Sequence, residues 1–209
     1  MCRNYGAIHG LLFDARDGKP VQGAAVVCVY YLEHGSVGGT LDEPVDASET
    51  KTDSAGRFLL PGKFVFAPRL PLSEFSRQPR IYIFAPGYES VALLGDQVYS
   101  RIDQKNVPLG TNDLGLSIYR TDARPILSVV TTDQTKVYEF RVSRLETDAQ
   151  RLYHANTDFV QGPACKFPNY LKLFNSERVK YGLPEWHPAK TNKYEFVDKE
   201  RKSARRHGP

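Results

Sequence analysis

The sequence predicts a mainly β fold: an antiparallel β-sandwich followed by a short α-helical C-terminal extension. Three observations carry this. From Gly6 to about Pro125, short apolar runs are broken by Gly, Pro, Asp and Asn, and none sustains a helical period. The run AAVVCVYYL, Ala24 to Leu32, is apolar at every position, as a strand covered on both faces must be. Beyond Thr131 apolar residues recur at helical spacing instead.

In chain order, GAIHGLLFDA is a first strand, and DARDGKPVQG supplies a turn through Asp17-Gly18 and Pro20. In the apolar run that follows, alternation puts Ala24, Val26 and Cys28 on one face and Ala25, Val27 and Val29 on the other. EHGSVGGTLDEPVDASE reads as a loop, too long and Gly-rich for a tight hairpin. TKT and RFLLPG then flank a turn at Asp53 to Gly56, in which the Asp53 carboxylate accepts backbone N–H bonds and Gly56 takes positive φ. RIYIF and YESVALL are strands joined by a type II turn at Pro86-Gly87, with weaker strands at LGLSIY and PILSVV.

Two helices are expected after these strands. SRLETDAQRLYHA sets Leu145, Ala149, Leu152 and Tyr153 near one face, with Ser143 and Glu146 as a capping box. PNYLKLFNSERVKYGLP groups Tyr170, Leu173, Phe174 and Tyr181, with Gly182 ending the helix and Pro184 forbidding its continuation. The expected domain layout is a sandwich over 1–130, a helical extension over 131–186, and a basic, extended tail over 187–209.

Charge and composition narrow the function. Much of the net charge of +4 sits in the terminal KERKSARRHGP, whereas a nucleic-acid site would interleave basic and aromatic residues on a folded face. No nucleic-acid partner is expected; an anionic membrane surface or a polysaccharide is the tail's candidate contact. No run reaches the roughly 18–20 apolar residues of a membrane-spanning helix. The three cysteines, Cys2, Cys28 and Cys165, show no C-x-x-C pairing. Cys28 reads as a small buried hydrophobe, and whether it meets Cys165 in a disulfide is open. Cys2, followed by polar Arg-Asn-Tyr-Gly, is a candidate lipidation site, because a Met-Cys start is what remains when a start codon replaces a lipoprotein signal peptide.

Four separated motifs occur in one order: Gly10, Leu12 and Asp14; Gly18, Lys19, Pro20, Val21, Gly23, Ala24, Val26 and Cys28; Thr52, Asp53, Gly56 and Phe58; Pro86, Gly87 and Tyr88. Together they resemble the carboxypeptidase regulatory-like domain, a transthyretin-like (prealbumin-type) Greek-key sandwich, over the first half of the chain. Leu12 departs conservatively from a Val, and Cys28 from a β-branched residue. The resemblance implies that the motif residues serve packing and turns, with Gly23 and Ala24 allowing close sheet approach. The whole layout looks like small bacterial envelope proteins, often lipoproteins, placing the chain in the periplasm, on the outer membrane or outside the cell.

Enzymatic readings of that fold fare less well. Hydroxyisourate hydrolases carry a C-terminal Tyr-Arg-Gly-Ser signature, and this sequence holds none. Intradiol dioxygenases bind non-haem iron through two tyrosines and two histidines, but His9, His34, His154, His187 and His207 are scattered. His9 is expected to face solvent or the helices, His34 to lie in a loop, His154 near a helix end and His207 in the tail, while His187 adjoins Trp186, a candidate anchor. No G-x-S-x-G elbow or phosphate loop is present. The expectation is a non-catalytic envelope protein with no cofactor. Its loops and edge strands, including the Tyr30-Tyr31 region, would bind another envelope protein or a second copy. A metal-dependent or hydrolytic enzyme is the alternative.

Overall fold

The computed structural model describes residues 1–36, 39–68, 73–94, 97–100, 107–108, 110–112, 115–119, 125–132, 135–146, 151 and 166–187. Its strands are β1 (Cys2–Tyr5), β2 (Ile8–Asp14), β3 (Ala25–Ser36), β4 (Gly39–Lys51), β5 (Arg57–Leu60), β6 (Lys63–Phe66), β7 (Ser73–Phe75) and β8 (Arg80–Phe84). They continue with β9 (Val91–Leu94), β10 (Gln97–Ser100), β11 (Val107–Pro108), β12 (Gly110–Asn112), β13 (Gly115–Tyr119), β14 (Pro125–Thr132) and β15 (Thr135–Val142). The helix α1 (Pro168–Lys180) follows.

Two sheets face each other. One runs β11-β10-β9-β8-β3-β4, with β7 also paired to β3; the other runs β12-β13-β14-β15-β2-β5. A two-stranded ribbon, β1-β6, packs beside them. Strand pairing is antiparallel throughout the described residues except for β15 and β2, which run parallel with Val137 opposite His9 and Val142 opposite Asp14.

Strand β3 organises the interior. Its run of β-branched and aromatic residues suits a pleated surface, and residues Ala25 to Leu32 are at most 2% exposed on either face. Val26, Cys28, Tyr30 and Leu32 meet Leu12, Leu60, Ile83 and Phe140 in the core between the sheets. Ala25, Val27, Val29 and Tyr31 face the other way, under Phe167, Tyr170 and Phe174 of the helical segment. The molecule is therefore layered sheet, sheet, helix. Full burial of a side chain such as Phe174 contributes about 1.5–3 kcal/mol.

Helix α1 ends as the sequence predicts. Gly182 has φ +69°, the Leu183 N–H reaches the Arg178 carbonyl, and the Gly182 N–H reaches that of Val179; this is the Schellman pattern. Its start is capped from outside. Phe167 at the N-cap offers no side-chain oxygen, and the Glu49 carboxylate of β4 accepts the Asn169 N–H at 2.9 Å and the Tyr170 N–H. An anion there also suits the helix dipole.

Two sequence expectations are revised. Residues 33–49 are not a loop: β3 continues to Ser36 and pairs with β4, Ser36 opposite Gly39. Pro44 is tolerated because β4 is an edge strand and the register shifts beside it, between Tyr30 and Tyr31. Past Thr131 the first element is β15 rather than a helix; in TKVYEFRV the alternate residues Phe140 and Val142 are buried, a period of two. Ser143 and Arg144 close that strand by pairing with residues 87–89. The helix expected at 143–155 otherwise falls mostly outside the described residues, as does the tail beyond 187.

Candidate functional site

The motif residues gather at one end of the sandwich. Gly10 lies opposite Phe58 in the β2–β5 pairing, and the Phe58 ring fills the space where a side chain would be: a Cβ on Gly10 would sit 2.1 Å from it. Asp53 Oδ1 accepts the N–H groups of Ala55 and Arg57 at 2.8 and 2.9 Å. Gly56 closes that turn at φ +72°, where a Cβ would also meet the Leu12 carbonyl at 2.5 Å.

Thr52 is buried and joins two loops. Its Oγ1 accepts the Ala24 N–H at 2.9 Å and donates to the Val21 carbonyl at 2.7 Å. Gly23 takes φ +77° with open space around it, so backbone conformation accounts for this glycine and close sheet approach does not. Gly18 also has positive φ, its N–H donating to the Asp14 carbonyl, and Pro20 bridges Phe13. Pro86-Gly87 turns the chain, with the Tyr88 N–H on the Ala85 carbonyl at 3.1 Å.

Asp14, 1% exposed, is the polar centre of this end. It accepts the Arg16 N–H at 2.8 Å, the Tyr88 hydroxyl at 3.2 Å and the Arg144 guanidinium. Hydrogen bonding to Asp14 raises the Arg144 pKa further, and burial raises that of Tyr88. Beside them the buried Glu89 accepts the Ser143 N–H at 2.7 Å. These groups are occupied in holding β15 and the following residues against the turns. Glu89 and Arg144 carry no local sequence signal, since their partners are more than fifty residues away.

The opposite end presents side chains outward. In the β1–β6 ribbon, Tyr5 and Val65 turn inward and join the core, the Tyr5 ring lying 4.7 Å from that of Tyr30 and tilted against it. The alternate residues Asn4, Phe64 and Phe66 face water, Phe64 at 64% and Phe66 at 73% exposure. Cys2, exposed, lies opposite Phe66. A cleft of about 540 Å³ opens here, lined by Met1, Cys2, Arg3, Ser73, Glu74 and Phe75. Tyr30 and Tyr31 are both buried and do not form a contact surface.

Among the described residues the histidines do not converge. His9 lies half-buried on β2, on the side away from the buried Gly10 and Leu12. His34 belongs to β3, not to a loop, and contacts Ser73 and Glu43. His187 stands 3.7 Å from Glu185. Its neighbour Trp186 packs on Phe174 and exchanges backbone bonds with the Asn175 side chain. Among the described residues no three His, Cys, Asp or Glu side chains are placed to hold a metal ion. Cys28 is an unpaired core thiol, its pKa pushed up to about 12 by burial, so it is unreactive at neutral pH. Cys165, His154 and His207 lie outside the described residues.

No family model matches the sequence. No curated protein matches it. Among solved structures, the pilus adhesin RrgA from Streptococcus pneumoniae is similar at 12% identity and a TM-score of 0.28, over 69% of this chain and 16% of that one. A C-terminal fragment of the pilus adhesin SpaC from Lactobacillus rhamnosus GG is similar at 11% identity and a TM-score of 0.27, over 68% of this chain and 46% of the fragment. This chain thus spans less than half the length of either protein chain.

Proposed function

We propose that this chain is a transthyretin-like binding or scaffolding protein of the bacterial cell envelope, acting by contact through its edge strands and end loops. The observation that carries this reading is the β1–β6 ribbon. Two phenylalanines stand in water side by side, and among the described residues each ribbon strand pairs only with the other. A two-stranded ribbon is marginal alone, and unpaired backbone next to exposed aromatic surface favours addition of a further strand. The partner is another envelope protein or a second copy of the chain. Lipid attachment at Cys2 belongs to the same proposal, because Cys2 is exposed and lies in register with Phe66.

The test compares the wild-type protein with the double variant Phe64→Ser/Phe66→Ser. Light scattering reads self-association, and capture from the native envelope fraction reads hetero-association. Intact mass of the protein purified from that fraction reads acyl chains on Cys2. Loss of assembly or capture in the variant, with its melting temperature unchanged, supports the reading. Equal behaviour of the two proteins in both assays rejects it.

A further inference from the structure

We propose that Ser73, His34 and Glu43 form a nucleophilic site for small carboxylic esters, with Ser73 Oγ as the attacking atom. This goes beyond the contact function above and uses none of the ribbon's phenylalanines. The three residues come from three strands. Ser73 of β7 lies directly opposite His34 of β3. Glu43 of β4 lies opposite Leu32, two residues along β3 and hence on the same face as His34.

The distances connect them in a line. His34 Nδ1 is 2.7 Å from Ser73 Oγ, and His34 Nε2 is 2.9 Å from Glu43 Oε2. An ionised carboxylate only accepts hydrogen bonds, so Glu43 fixes the ring proton on Nε2. Nδ1 is then a lone-pair acceptor, and the Ser73 hydroxyl is the donor. Nucleophile, base and orienting carboxylate are thus in the sequence that activates a serine. Ser73 also lines the open cleft beside Arg3 and Phe75, where a small ester with an apolar acyl group can approach it.

The chemistry balances with water as the second substrate. Ser73 Oγ bonds to the ester carbonyl carbon as its proton passes to His34 Nδ1. The carbon–oxygen bond to the alcohol breaks, and that proton leaves with the alcohol. Water then attacks the acyl-serine, giving a proton to Nδ1, which returns it to Ser73 Oγ as the carboxylic acid departs. Ser73 and His34 are the catalytic residues of this scheme. Glu43 is a positioning residue, and because its side chain is 59% exposed its removal costs less than that of His34.

The full chain is treated with a fluorophosphonate probe and, separately, with 4-nitrophenyl acetate, and adducts are located by peptide mass spectrometry. Phosphonylation and acetylation at Ser73 are expected, both absent in Ser73→Ala. His34→Ala is expected to slow labelling about a hundredfold. Glu43→Gln is expected to slow it about tenfold and to move the pH profile of labelling. If Ser73→Ala does not fold, Ser73→Cys substitutes: its alkylation by iodoacetamide is expected to depend on His34. Absence of any adduct at Ser73, acetylation confined to Cys2, or labelling of Ser73 unaffected by His34→Ala overturns the proposal. Association of the Ser73 variants is unchanged if only this inference fails, so the two readings are separable.

Discussion

The two ends of strand β3 use their polar residues in opposite ways. At the Ala25 end, Thr52 bonds the backbone of the neighbouring loop, Asp53 and Asp14 bond backbone groups of their own turns, and Asp14 also holds Tyr88 and Arg144. At the His34 end, phenylalanines stand in water and a serine lines an open cleft. The first end spends its residue identities on backbone geometry, and buried polar groups are costly to leave unpaired. The second can change its surface without unpairing anything inside. Under the two proposals above, contact and chemistry belong to the second end, while the residues of the first serve stability.

Substitution should separate the two ends sharply. Gly10→Val carries the largest expected effect, because a side chain there enters the Phe58 ring. A loss of about 3 kcal/mol or more is expected from urea unfolding, and a loss below about 1 kcal/mol would mean the ring has room to move. Thr52→Val keeps shape while stripping the Ala24 N–H and Val21 carbonyl of their partner. It should cost about 2–4 kcal/mol, measured the same way, and a neutral result would show that the loops re-pair. Glu49→Gln, which weakens the cap on α1, sits between the extremes at about 1 kcal/mol. Faster hydrogen exchange at the Asn169 and Tyr170 amides is its signature. The ribbon variant Phe64→Ser/Phe66→Ser defines the lower limit, with stability within about 0.5 kcal/mol of wild type.

How much of this was legible depended on how local each signal was. The two-faced burial of β3 followed from a run with no polar residue, and the turns at Asp53–Gly56 and Pro86-Gly87 from residues whose own backbone chemistry sets them. The end of α1 was equally local, through Gly182. The β3–β4 extension was hidden because its sequence is polar and Gly-rich; strand pairing there is held by tertiary context, against propensity. Strand β15 does carry a period of two, Tyr138, Phe140 and Val142 alternating with Glu139 and Arg141, but the alternation is only five residues long and runs straight into the helix-spaced apolar residues from Leu145 onward. The exposed Phe64 and Phe66 stand in a short run, Lys63–Phe66, that gave no sign of which face would be covered. Ser73, His34 and Glu43 could not be found by spacing at all, because only strand register brings them together.

The parallel pairing of β2 with β15 sets a condition on how the chain is made. His9 leaves the ribosome well before its neighbour Val137, which lies far along the chain from it. Until then one side of β2 is an open edge, and the nascent chain must wait with it exposed. A holdase that shields this edge during synthesis would raise the yield of native protein more than one acting after release.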